Sequence, residues 1–355
     1  MASRYWVGGT GTWQSGDTSH WSASSGGSSG ASVPTASDDV YFNGSSGAGT
    51  ITIGDIGAGV TCLALNFTGF TGTLSALQGF IKISGNITFG SGMSFSGTRY
   101  AFLEPKASLT ITSNGKSIPF GIYVSTGTTT LADDFVTTSS ILVGSGTFNA
   151  ANFNVTANNV DVPYSYSGAL TMGSGTWTIT GSVKAQNGSS GVWICGSDST
   201  ITPNTSTIKL TDTSSTAKKF DGGGKTYNNI WLSGAGTGEF QFTGTNTFSD
   251  FKCDTPPHTI KFTAGTTTTV TTFTVSGTSG NLITIGSLTA SSHTLTKAGG
   301  GVIDCDYLSI SRSTGTPALT WYAGLHSTSG GNTSGWSFYT STTTFNTGLF
   351  SNSGP

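Results

Sequence analysis

The residues able to do chemistry are few and scattered along the chain. Asp304-Cys-Asp306 puts two carboxylates on one strand face, opposite Cys305. Cα atoms two apart on a strand lie about 6.6 Å from each other, and glycoside hydrolysis needs two carboxyl groups about 5–9.5 Å apart. The spacing permits that reaction, but Arg312 is the only arginine or histidine close by in sequence. The only glutamates, Glu104 and Glu239, are distant from each other. Asp38-Asp39 and Asp133-Asp134 would point to opposite faces of a strand and read better as turn residues. A calcium ion held by such aspartates and backbone carbonyls is the alternative for them. His20, His258, His293 and His326 fall in separate loops without an HExxH pattern. Gly222-Gly-Gly-Lys225 lacks the spacing of a phosphate loop and reads as a turn. Cys62, Cys195, Cys253 and Cys305 form no CxxC pair, which argues against zinc and a disulfide framework and for four reduced, packed thiols. The expectation is a protein without catalysis, bound metal or cofactor.

The elements carrying these residues are short strands. Thr50-Ile-Thr-Ile53, Leu63-Ala-Leu-Asn-Phe67, Phe80-Ile-Lys-Ile83, Leu109-Thr-Ile111, Thr207-Ile-Lys-Leu210 and Thr259-Ile-Lys-Phe262 alternate aliphatic or aromatic residues with polar ones. Such residues suit a pleated, half-buried surface, and the Gly, Asn and Ser between them accept turn geometry. Gly90-Ser-Gly-Met, Gly144-Ser-Gly-Thr-Phe148 and Gly173-Ser-Gly-Thr-Trp177 look like one turn-and-strand unit used repeatedly. Self-similar strands at a period of roughly 20–30 residues predict stacked rungs. No window holds a helical period. The fold expected is all-β: a single-chain parallel β-helix, or β-solenoid, of on the order of ten rungs, with aromatic caps at both ends.

Composition agrees. With 21 Phe and 8 Trp but only 8% charged residues, the chain is too aromatic and too uncharged for a disordered polymer. A net charge of −2 and a single basic doublet, Lys218-Lys219, carry no nucleic-acid signature. No stretch approaches the roughly 20 apolar residues of a membrane helix.

Three segments follow. Residues 1–39 are a Trp- and Gly-rich lead-in, with Trp6, Trp13 and Trp21 suited to cover the open end of a solenoid. Residues 40–310 are the β-helix body. Residues 311–355 close the rod through Trp321-Tyr-Ala-Gly324 and Gly335-Trp-Ser-Phe338, followed by a Thr340–Thr344 run read as an extension that docks elsewhere.

Strand parity singles out surface candidates. Trp177 shares a face with Ile179 and reads as core. In Val192-Trp-Ile194 and Ile230-Trp-Leu232 the flanking aliphatics occupy the other face, which turns Trp193 and Trp231 outward. Tyr227 and Asn229 share the parity of Trp231. Trp193, Tyr227 and Trp231 are therefore the candidate glycan or subunit contacts, with burial beneath a loop as the bland alternative. Low charge and outward aromatics predict lateral packing in a closed homo-oligomer, a trimer by preference.

The segments RYWVGGTGTWQSGDTSHWSASSGGSSGASVPTASDDVYF, STIKLTDTSSTAKKFDGGGKTYNNIWLSG and DYLSISRSTGTPALTWYAGLHSTSGGNTSGWSF carry a resemblance. Together they resemble a family of β-helical virion proteins of tailed phages, also found among large bacterial surface proteins. The Trp-Tyr-Ala-Gly ending is its most specific part, and His326 stands where the pattern has Asn. The resemblance implies a structural or adhesive rod and supplies no catalytic motif. It implies a tail-fibre or spike component involved in host attachment, and other virion proteins as partners. A head-decoration or capsid-fibre protein is one alternative, a bacterial cell-surface adhesin or matrix protein the other. The start, Met1-Ala-Ser-Arg-Tyr-Trp, shows no secretory signal. Assembly in a host cytoplasm into a virion is therefore expected over export to a bacterial surface.

Overall fold

The computed structural model describes residues 1–55, 57–182 and 191–339; the Thr340–Thr344 run lies outside them. Among the described residues there is no α-helix, only a single 3-10 turn at Gly44–Ser46. The strands stack as a parallel β-solenoid of about 13 turns, which at about 4.8 Å per rung spans roughly 60 Å.

Three walls run along the rod. The first holds ten strands, from Trp21–Ser22 and Ser3–Trp6 at one end to Thr200–Thr202 at the other. The second, of fifteen strands, runs from Gly11–Trp13 to Thr328–Ser329, and the third, of eleven, from Ser117–Ile118 to Thr333–Ser334. A three-stranded sheet of Ile303–Asp304, Trp321–Tyr322 and Trp336–Ser337 completes the last turns. Pairing is parallel apart from Ser3–Trp6 with Trp21–Ser22, which is antiparallel, and one isolated bridge. That reversal covers the first edge of the stack. Both segments read as caps are themselves rungs, since strands pair in register from Ser3 to Ser337.

Alternation places aliphatics inward, as in Thr50–Ile53, where Ile51 and Ile53 are buried between half-exposed threonines. Inside, aromatic rings lie one above another. Phe148, Trp177, Trp193, Phe220, Phe242, Phe251, Phe273, Trp321 and Trp336 form a spine with successive ring centroids 4.9–5.9 Å apart. Trp6, Trp13 and Trp21 pack around Phe42 at the other end. All four cysteines are free and buried.

Gly173 shows what close stacking asks of the backbone. Its φ is +69°, and a Cβ there would lie 1.9 Å from the carbonyl oxygen of Ala151 in the rung below. The repeated Gly-Ser-Gly turn is thus glycine where rung meets rung.

In the turns covering residues 226–275 the first and third walls merge. Thr226–Leu232, Thr247–Cys253 and Thr267–Val275 are single strands bent at a corner. Thr207–Leu210 pairs with the later half of Thr226–Leu232, whereas Thr267–Val270, the earlier half of its strand, pairs with Thr294–Lys297.

Trp177 is fully buried in the spine, with its Nε1 donating to the carbonyl of Met172 at 3.1 Å. Trp177→Ala should cost about 3–5 kcal/mol, read as a fall in the guanidinium unfolding midpoint. A loss below about 1 kcal/mol would show that the spine does not hold the rungs together.

Candidate functional site

Trp193 and Tyr227 are not on the surface. Trp193 points inward, between Val160 and Phe220 of the adjacent rungs, and donates through Nε1 to the Tyr227 hydroxyl at 3.3 Å. Tyr227 in turn donates to the carbonyl of Gly222 at 2.9 Å. Both are fully buried, so neither is available to a glycan or to a neighbouring subunit. Two physical features override strand parity here. Residues 192–195 are covered on both faces, so Ile194 is buried although it faces outward between Asp161 and Asp221. At Tyr227 the strand turns the corner: Asn228 and Asn229 both face out, which leaves Tyr227 and Ile230 inward three residues apart. The same three-residue step recurs at Phe248/Phe251 and Val270/Phe273.

Trp231 does face outward and is half-buried. In-register pairing sets it in a column with Lys209 below, then Lys252 and Thr274 above. The Lys209 ammonium lies 3.9 Å from the indole centroid and that of Lys252 4.2 Å. The indole Nε1 donates to Asp254 Oδ1 at 2.7 Å, and Lys252 pairs with Asp254 at 2.8 Å. Burial pushes the Asp254 carboxyl upward, but hydrogen bonds from Lys252 and Trp231 outweigh it and hold the group below the usual carboxylate range. With an ammonium on each side the ring presents its edge to solvent, so a sugar cannot stack on a face without displacing a lysine.

The Trp231 column ends at an open cleft of about 310 Å³. Thr271, Thr272 and Thr274 form one side; Lys297, Gly300, Val302 and Asp304 form the other. The cleft exists because the merged wall splits again here: the chain leaves Thr294–Lys297, loops through Ala298–Val302 and re-enters at Ile303–Asp304. Asp304 is exposed at the rim. Asp306 is turned elsewhere, accepting from the backbone N–H of His326 and lying 2.7 Å from His326 Nδ1. Burial opposes ionisation of Asp306, yet these bonds hold it below the usual carboxylate range. The pair read from the sequence is therefore divided between two tasks.

A second outward feature was not visible in the sequence. On the second wall Glu104, Tyr123, Leu142, Asp161, Ile194 and Asp221 fall in one column, beside Phe80 and Phe102 stacked at 5.9 Å. Asp161 is 1% exposed, and among the described residues neither of its carboxylate oxygens has a hydrogen-bond partner. It lines a crevice with Phe102, Ser140, Leu142 and Asn159 that has no room for a water molecule. Desolvation pushes its carboxyl up to about 7. Only three-dimensional stacking brings these residues together, because each comes from a different rung.

Asp133 accepts from the backbone N–H groups of Ser113 and Asn114, and Asp134 from Asn154, as ties between rungs. Among the described residues no group of three or more His, Cys, Asp or Glu side chains is placed to hold a metal ion, and no helix is long and apolar enough to cross a membrane. No family model, curated protein or solved structure matches the chain.

Asp161 gives a pH prediction. Its pKa rises from about 3.9 in the unfolded chain to about 7 in the fold, so between those values the native state holds a proton that the unfolded state lacks. Its contribution is fully present below pH about 4 and is lost as pH rises through about 7. Asp161→Asn should match the parent at pH 4 and exceed it in denaturation midpoint at pH 8. Equal midpoints at both pH values would contradict the buried, unpartnered carboxyl.

Proposed function

We propose that the chain is a structural rod of a tailed-phage virion, a tail-fibre or spike component that takes part in attachment to the host surface. The β-helix is compatible with such a fibre-like or adhesin-like role. The observation that carries the reading is the uninterrupted parallel stack. Lateral backbone bonds are used from rung to rung and tryptophans fill both ends, so a stiff rod is left whose free chemistry lies on its sides. The resemblance of the lead-in, the middle and the Trp-Tyr-Ala-Gly ending to phage virion proteins supplies the setting, with other virion proteins as partners.

A non-catalytic role fits the site. Asp306 is bound to His326, and Asp161 sits in a crevice closed to water. Lateral assembly, with a trimer as the expected form, is supported by the outward apolar residues of the second wall. Leu77 and Tyr100 are strongly exposed at one corner, and Phe80 and Tyr123 lie further along the same wall.

Negative-stain imaging of particles labelled with an antibody to this chain tests the reading. Label at the tail is expected; label on the head would move the protein to the head-decoration role, and unlabelled particles would remove it from the virion. Light scattering should give a mass three times that of the chain. A stable monomer at micromolar concentration would count against lateral assembly.

A further inference from the structure

Lys297 is 8% exposed, yet it has no carboxylate partner. Its Nζ donates to the carbonyls of Ala298 and Gly300, both at 2.8 Å, and among the described residues no acid lies within ion-pair distance of it. Lys218 is the internal comparison: it is 1% exposed but lies 3.2 Å from Asp212. A buried cation without a counter-charge is costly, and an ammonium has three donors, of which two are used here. The third belongs to a group on the wall of the 310 Å³ cleft.

We propose that this cleft binds a carboxylate-bearing sugar of an acidic glycan, with the carboxylate on Lys297. The proposal deepens the attachment reading and rests on it for its biological setting. Its chemistry comes from the lining. Thr271 and Thr274 are exposed and their hydroxyls make no hydrogen bond within the described protein, and Thr272 already donates to Asp250. Threonine hydroxyls suit the hydroxyls of a sugar ring, as donors and acceptors together. On the opposite wall, between Lys297 and the exposed Val302, the loop is bare backbone at Gly300, where an added Cβ would meet nothing within 4 Å.

The approach to the cleft has the same character. Thr274 is the top of the column that holds Lys209, Trp231 and Lys252, a strip of roughly 14 Å over three rung spacings. Lys209 also lacks a carboxylate partner among the described residues and leans only on the indole. An acidic chain lying along the rod would meet Lys209, the edge of Trp231 and Lys252 before its end reached Lys297. Lys209 and Lys252, the second already paired with Asp254, are separated by a neutral residue and suit one carboxylate per sugar, whereas a nucleic acid requires many closely spaced phosphate contacts.

Titration calorimetry of the assembled protein with oligomers of glucuronic acid, and with glucose oligomers as uncharged controls, tests this. The acidic oligomer should bind at least tenfold more tightly than the neutral one, and weaken as salt is added. Lys297→Met should lower its affinity at least tenfold. Asp304→Asn, which removes a like charge from the rim, should raise it severalfold. Equal affinity for both oligomers, no binding of either, or a folded Lys297→Met protein that binds unchanged would each overturn the assignment. If Lys297→Met does not fold, the exposed double change Thr271→Val with Thr274→Val decides: reduced affinity supports the cleft and unchanged affinity overturns it. A rod that mediates adsorption but ignores acidic sugars would overturn the cleft alone. Acidic-sugar binding by a protein found on the head would overturn tail attachment alone.

Discussion

Every feature of this rod follows from parallel, in-register stacking, in which each residue sits about 4.8 Å above its counterpart in the preceding turn. For the interior this means like on like. Aromatic rings pack on one another along the axis, edge to face at Phe148 and Trp177 and stacked at Trp193 and Phe220, and the spine from Phe148 to Trp336 is the result. For the exterior the same rule is restrictive, because like charges directly stacked repel. The lysines and acids respect it. Lys209 and Lys252 are separated by Trp231, Lys219 and Lys261 by Gln241, and Asp161 and Asp221 by Ile194. A spacing of two rungs, with a neutral side chain between, halves the repulsion of direct neighbours. Hydroxyls have no such conflict and bond along the column, as Thr296 does with Thr316 at 2.7 Å and Ser334 with Thr314 at 3.1 Å. Low charge and abundant threonine are therefore two consequences of one geometry.

The two ends of the described stack are built differently from its middle. At the start, Trp21–Ser22 runs antiparallel to Ser3–Trp6 and takes up its edge, while three indoles gather over Phe42. At the other end Trp336 packs on Trp321 with centroids 4.9 Å apart. His326, which departs from the residue expected in its segment, stacks on Tyr307 and bonds Asp306 through both its backbone and its ring, so the imidazole has local work in this turn.

Short alternating strands and repeated Gly-Ser-Gly turns made the fold legible, because alternation is a local property and a rung is a local unit. Surface position was less so. Alternation holds only while a strand stays straight, and the corner at Asn228-Asn229 adds an outward residue that reverses the parity of everything before it. Trp231 lies after the corner and faces outward, as simple alternation predicts; Tyr227 lies before it and faces inward. Trp193 was misplaced for another reason, since aliphatic neighbours mark the inner face only where the outer face is wet, and Ile194 is buried on the outside. Columns such as Lys209–Trp231–Lys252 are spaced by 22 and then 21 residues, but turn length varies enough elsewhere that no fixed period identifies them.

A solenoid of uniform turns has flat sides and no concavity, so binding chemistry more selective than a flat face offers requires a turn of unequal length. The Ala298–Val302 loop is such a turn. From Thr226–Leu232 to Thr267–Val275 the corner is continuous strand. Lengthening the next turn by a Gly-rich loop lifts the chain away from Thr271–Thr274 and leaves a hollow bounded by strand on one side and by Lys297, Gly300, Val302 and Asp304 on the other. The loop also supplies the carbonyls of Ala298 and Gly300 that hold the Lys297 ammonium at the wall. Rung geometry alone would have pointed that lysine into the core, beside the inward Val270 with which it pairs. The insertion thus creates the hollow and the charge within it in one step, while the strands on either side keep their register.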